Sequence, residues 1–85
     1  NLTTSVNENN EAEIKKTIVK LMGNVIEINP SVKVKELSLM NYEGKVIDHV
    51  INSQSINIEQ VLSGIYFLKI TDSQNIVKVE KIFIP

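Results

Sequence analysis

The stretch that decides the fold of this 85-residue chain is VLSGIYFLKITDSQNIVKVEKIFI, residues 61–84. Tyr66, Leu68 and Ile70 alternate with other side chains in its first half, and a valine-rich alternation follows in its second half. A period of two is typical of a strand with one buried face. The polar residues 72–75 between the two halves favour a turn. The stretch therefore predicts an antiparallel β-hairpin that Gly64 opens.

The rest of the chain shows the same short-strand pattern. Gly23-Asn24 suits a type II′ turn, Gly44 closes a second turn, and Pro30 ends a strand because proline has no N–H to donate. The spacing of isoleucines in the first segment also fits a helix, but its β-branched residues and the following glycine favour a strand. The predicted strands cover residues 14–22, 24–28, 35–41, 45–51 and 55–59, followed by the two strands of the closing hairpin.

Seven short strands at a spacing of roughly 8–12 residues, without a long helical pattern, predict an all-β fold. The best match is a seven-stranded antiparallel immunoglobulin-like β-sandwich, although the Cys…Trp…Cys signature of antibody domains is missing. Residues 1–11 are polar and lack a period, which predicts a flexible leader or linker. Residues 12–85 then form a single β-sandwich domain.

The composition argues against several classes of function. All nine basic residues are lysines, and ten acidic residues bring the formal net charge to -1. Without arginine or an excess of positive charge, nucleic-acid binding is not expected. The absence of cysteine excludes disulfides and thiolate metal sites. No run approaches the ~20 apolar residues of a transmembrane helix.

No pattern of an active site, cofactor site or metal site occurs in the sequence. His49 is the only histidine, and its neighbour Asp48 points to the other face of a predicted strand. A solvated histidine is therefore favoured over a metal ligand or a general base. The glycines are isolated, and neither a nucleophile elbow nor a phosphate loop is present. The sequence predicts a domain that is not an enzyme and has no cofactor.

The order of residues in the closing hairpin is more specific than its alternation of apolar and polar side chains. It consists of Leu-Ser-Gly-Ile-Tyr at residues 62–66, a strand ending in Lys-Ile-Thr-Asp, a polar turn, and a strand ending in Glu-Lys-Ile-Phe-Ile. This order resembles the C-terminal sorting domain of the type IX (Por) secretion system of Bacteroidetes. Residues 37–47 fit that family's segment V-x-L-x-x-x-x-G-K-x-V, and residues 56–66 fit its short isoleucine strand followed by Gly-Ile-Tyr. The resemblance covers residues 24–84.

The resemblance implies a sorting and targeting module, without catalysis, that directs an upstream cargo domain of the same chain through the type IX system. The implied partner is the protein export machinery of the outer membrane. The implied localisation is the periplasm in transit, and then the cell surface or the extracellular space. The motif and recognition residues implied by the resemblance are Gly44, Lys45, Leu62, Gly64, Ile65, Tyr66, Lys69, Lys81, Ile82 and Ile84.

The residues alone leave two interpretations of this set open. Gly44 and Gly64 are expected as turn glycines. Lys69, Lys78 and Lys81 fit a solvated face that discourages edge aggregation, or a recognition surface made of a sheet edge and charges. Exposed edge strands would also allow two copies to pair as a homodimer.

Two other functions compete with sorting. A stand-alone exported immunoglobulin-like sandwich of structural or adhesive role is favoured by two departures from the family. The opening Tyr-Pro-Asn-Pro segment is missing, and the chain ends Ile84-Pro85 where members often end on a basic residue. A carbohydrate-binding module would present exposed aromatic rings, and the chain has no tryptophan and four Phe and Tyr residues.

Overall fold

A computed structural model describes residues 16–85 of the chain. The predicted leader, residues 1–11, and the beginning of the predicted first strand lie outside the described residues. The strands are β1 (Val19–Met22), β2 (Val25–Ile28), β3 (Val34–Asn41), β4 (Val46–Ile51), β5 (Ser55–Asn57), β6 (Gly64–Asp72) and β7 (Val77–Ile84).

The strands form two antiparallel sheets with the orders β1-β2-β5 and β4-β3-β6-β7. The prediction of an all-β fold with seven antiparallel strands in a sandwich is therefore confirmed. Residues 16–85 contain no helix that is long and apolar enough to cross a membrane.

The fourth strand gives the sandwich its particular topology. In the constant-type immunoglobulin arrangement, the fourth strand joins the sheet of the first, second and fifth strands. Here β4 remains beside β3, because residues 41–45 form a tight turn. Asn41 Oδ1 accepts hydrogen bonds from the N–H groups of Glu43 and Lys45, both at 2.9 Å. Gly44 has a φ of +86°, which a residue with a side chain rarely adopts.

Two strands are shorter than the sequence predicts by two or more residues. Within the described residues the first strand begins at Val19, because Ile18 donates its N–H to the side-chain oxygen of Asn29 at 2.6 Å rather than to a ladder partner. The fifth strand ends at Asn57, whose Oδ1 accepts the N–H of Glu59 at 2.7 Å. An asparagine that bonds the backbone two residues later forms a local turn, which competes with strand pairing.

The core lies between the two sheets and is almost entirely aliphatic. Leu37, Leu39, Leu68 and Ile70 of the four-stranded sheet have no solvent-exposed surface. Burial of one such side chain contributes about 1.5–3 kcal/mol to the stability of the domain. The rest of the buried apolar cluster comprises Ile26, Ile28, Val32, Val34, Ile56, Ile58 and Ile84.

One polar side chain joins two of the connections between the sheets. Gln54 lies between β4 and β5, where the chain passes from the four-stranded to the three-stranded sheet. Its Oε1 accepts the N–H of Val34 at 2.8 Å, and its Nε2 donates to the carbonyl oxygens of Val32 at 2.8 Å and Asn29 at 3.2 Å. Asn29 and Val32 belong to the connection from β2 to β3, and Val34 begins β3, so Gln54 replaces ladder bonds where both connections leave the sheets.

Candidate functional site

The segments that carry the sequence motifs meet at one end of the four-stranded sheet. Asn41 at the end of β3 pairs with Tyr66 near the start of β6, and Gly64 pairs with Ile84 at the end of β7. This register brings together residues 41–45, 62–66 and 82–84, which we call the motif end.

The backbone of the Leu-Ser-Gly-Ile-Tyr segment is held by its own tyrosine. The Tyr66 hydroxyl donates to the carbonyl oxygen of Leu62 at 2.8 Å, while the ring packs against the core. In immunoglobulin-like sandwiches, a tyrosine near the start of a strand that bonds the backbone a few residues upstream is a tyrosine corner. Gly64 has a φ of +149°, a conformation that is essentially limited to glycine. The motif therefore forms an ordered corner from which the Leu62 side chain, 81% exposed, projects into solvent.

A shallow cleft separates the corner from the turn between β3 and β4. It has a volume of about 280 Å³. Tyr42 and Ile47 lie on one side, and Ile65 lies on the other, all three with substantial exposure. Lys45, in the same turn, is also exposed. The motif end therefore presents apolar side chains around a cleft, with a cation nearby.

The solvent-facing side of the four-stranded sheet, which we call the outer face, is unusually apolar. An antiparallel sheet with one buried face normally carries polar residues on the other. On β7 the outer face instead presents Val77, Val79 and Phe83, which are 47%, 50% and 64% exposed. Exposed apolar side chains that share one face of a sheet indicate an interaction surface. The other exposed apolar residues of β4 and β6 are Val46, Ile47, Ile51 and Ile65.

Two of the three lysines among the predicted recognition residues, Lys69 and Lys81, lie on the outer face, whereas Lys45 lies at the motif end. Lys69 on β6 is opposite Val79, and Lys81 on β7 is opposite Phe67. Both are exposed. A close contact joins His49 Nε2 to Glu36 Oε2 at 3.4 Å and includes neither Lys69 nor Lys81. Both charges are therefore available to a partner.

Two of the three isoleucines of the predicted set, Ile82 and Ile84, have a different environment. Ile84 is 4% exposed and belongs to the core, and Ile82 packs against the core from the inner side of β7. Their contribution in the folded domain is to packing, whereas Leu62, Ile65, Lys69 and Lys81 remain at the surface.

The sequence reasoning did not select Tyr42, Val77, Val79 or Phe83. A signal was present in β7, because apolar residues occur in both alternating sets of this strand, Val77, Val79 and Phe83 in one and Ile82 and Ile84 in the other. A hairpin with one buried face needs only one apolar set. The second set is therefore the one that invites a functional explanation.

Residues 16–85 contain no group of three or more His, Asp or Glu side chains that could hold a metal ion. In the same range, every buried side-chain nitrogen and oxygen has a hydrogen-bond partner. The chemistry that the arrangement supports is recognition by surface side chains and strand edges.

The sequence model of a known family, described as the secretion system C-terminal sorting domain, matches residues 22–85. The chain belongs to this family. The resemblance to type IX sorting domains is thereby confirmed. The matched range begins at the last residue of β1, so this sorting domain includes the complete four-stranded sheet and the motif end. No curated protein matches the chain.

Proposed function

We propose that this chain directs an upstream cargo domain of the same polypeptide through the type IX secretion system. The cargo passes from the periplasm to the cell surface or the extracellular space. The chain acts by binding the export machinery of the outer membrane and has no catalytic role. Residues 12–85 act as one domain behind a leader of residues 1–11.

The observation that carries this proposal is the family match over residues 22–85, together with the motif end. A targeting signal acts by binding a partner protein, so the residues that contact the partner must be exposed on the folded domain. Leu62 and Ile65 are exposed at an ordered corner, and Tyr42 and Ile47 face Ile65 across the cleft. Residues of this kind are typical of a protein-binding surface.

A secretion assay tests the proposal. Residues 1–85 are fused to the C-terminus of a periplasmic fluorescent reporter in a Bacteroidetes host with a working type IX system. We expect the reporter at the surface or in the medium, and we expect its loss from both in a translocon mutant. The reporter without the fusion is the matched control. A folded fusion that remains in the periplasm would overturn the proposal.

The second candidate is a stand-alone exported sandwich with a structural or adhesive role. The apolar outer face favours it, because such a surface also supports lateral association. Sedimentation of residues 1–85 over a range of concentrations separates the candidates. Self-association without export of the fusion would favour the structural role.

A further inference from the structure

The last strand of the chain is an edge strand with free backbone groups. Within residues 16–85, β7 pairs with β6 alone. The N–H of Asp72 donates to the carbonyl oxygen of Ile76 at 2.9 Å, and from there hydrogen-bonded and non-hydrogen-bonded pairs alternate. The even-numbered residues of β7 therefore bond to β6. The N–H and C=O groups that point away from the sheet belong to Val77, Val79, Lys81 and Phe83.

The other edges of the described domain are shorter or blunted. β1 and β5 have four and three residues, respectively. β4 has six residues, its pairing with β3 shifts register between Leu39 and Met40, and Asp48 Oδ1 accepts the N–H of His49 at 2.8 Å. Bulges and local caps are devices that stop an edge from pairing. β7 has eight residues, and its pairing with β6 has no register shift.

The side chains along β7 would make the edge selective for the sequence of a strand that pairs with it. On the outer face, Lys81 lies between Val79 and Phe83 along the strand. On the inner side, a groove of about 270 Å³ runs beside the strand between Ile82 and the side chains of Val19 and Leu21 on β1. An added strand would place alternate side chains on the outer face and the others over this groove.

We propose that the free edge of β7 binds an extended segment of the export machinery as an additional strand of the sheet. The segment carries a carboxylate opposite Lys81, and apolar residues on each side of the carboxylate lie opposite Val79 and Phe83. Backbone hydrogen bonds supply affinity, and the alternating side chains supply specificity. Opposite charges directly across two strands stabilise the pairing, and like charges oppose it. The inference rests on the proposed function, because the sorting role identifies the source of the segment.

The test uses residues 1–85 and a defined probe, the acetylated and amidated peptide Thr-Val-Thr-Glu-Thr-Val-Thr. Its Val-x-Glu-x-Val pattern is the same in both directions, so it matches β7 in a parallel or an antiparallel orientation. Titration followed by amide chemical shifts should give saturable changes on β7 and β6. Val79→Pro should abolish them, because it removes an outward N–H without removing a bond to β6. Ile51→Pro, which makes a similar change on the β4 edge, should retain binding.

A second test exchanges the charges of Lys81 and of the peptide's central residue, and it does not depend on the proline variants. Lys81→Glu should weaken binding of the glutamate peptide by about three- to tenfold. It should restore binding of a peptide with lysine at the central position. Lys33→Glu, at an exposed site on the connection between β2 and β3, makes the same charge change and should leave both affinities unaltered.

The inference is wrong if Val79→Pro binds the peptide like the wild type, or if the charge exchange has no effect. It is also wrong if millimolar peptide leaves the β7 amides unchanged, or if β7 pairs only with a second copy of the chain.

The reporter fusion distinguishes failure of the edge inference from failure of the sorting role. Export that survives Val79→Pro would remove the edge inference and leave the sorting role intact. A wild-type fusion that is not exported would remove the sorting role, and the titration would still decide the edge.

Discussion

The Tyr66 hydroxyl donates a hydrogen bond to the carbonyl oxygen of Leu62 at 2.8 Å, and the Leu62 side chain is itself 81% exposed. Tyr66 therefore holds the backbone at Leu62 in place, while the Leu62 side chain remains in solvent. Within one motif, one residue orders the corner and another is presented by it. Folding and recognition can therefore be separated by substitution.

Leu62→Ala should impair sorting without destabilising the domain. Substitution of an exposed side chain normally changes the free energy of unfolding by less than about 0.5 kcal/mol. Export of the reporter fusion should fall, since the variant removes the most prominent apolar group of the motif end. Urea unfolding and the secretion assay measure the two effects. Leu68→Ala is the contrasting variant, and it should cost about 2–5 kcal/mol because Leu68 is completely buried. Normal export of Leu62→Ala would argue against a contact at this position.

Tyr66→Phe should lower the free energy of unfolding by about 0.5–1.5 kcal/mol, the usual net value of one hydrogen bond. The ring remains, so packing against the core is preserved. Tyr42→Phe is the matched control, because that ring is 76% exposed. Urea unfolding of the two variants provides the measurement. Equal stability of both would show that the corner does not depend on the hydroxyl.

Gln54→Ala should destabilise the domain by about 1–3 kcal/mol, because it removes an acceptor and a donor from partly buried backbone groups. Hydrogen exchange gives a specific reading, since the N–H of Val34 donates to Gln54 Oε1. Exchange at this amide should accelerate more than exchange at the central amides of β6. Gln60→Ala, at an exposed site, is the control and should leave both measurements unchanged. An unaltered Val34 exchange rate in Gln54→Ala would contradict the assigned role.

Asp72→Ala should also cost about 1–3 kcal/mol. Asp72 is 4% exposed, and its Oδ1 accepts the N–H groups of Gln74 and Ile76, both at 2.9 Å. Asp72→Asn retains an oxygen in this position and should cost less. Thermal or urea unfolding compares the two variants, with Ser73→Ala as the exposed control in the same turn. A fully stable Asp72→Ala would mean that the turn forms without its side-chain acceptor.

Local pattern was sufficient for most of the strands. Alternation predicted β3, β4, β6 and β7 to within one or two residues at each end, because the period of a strand is visible in neighbouring side chains. Gly44 and the polar residues 72–75 predicted turns for a similarly local reason. The ends of β1 and β5 were less predictable, since the side chains of Asn29 and Asn57 compete there for the backbone.

The sequence by itself determined the succession of strands and turns along the chain, the closing hairpin and the family, because each depends on residues that are close together within short segments of the chain. The tertiary structure decided which face of β7 is buried. The odd-numbered set of β7 is the more apolar one, and alternation alone would have placed it in the core. Pairing with β6 directs Ile82 and Ile84 inward and leaves Val79 and Phe83 in solvent. The tertiary structure also brought residues 41–45 next to residues 62–66, because cross-strand register arises only when the buried faces of distant strands pack together.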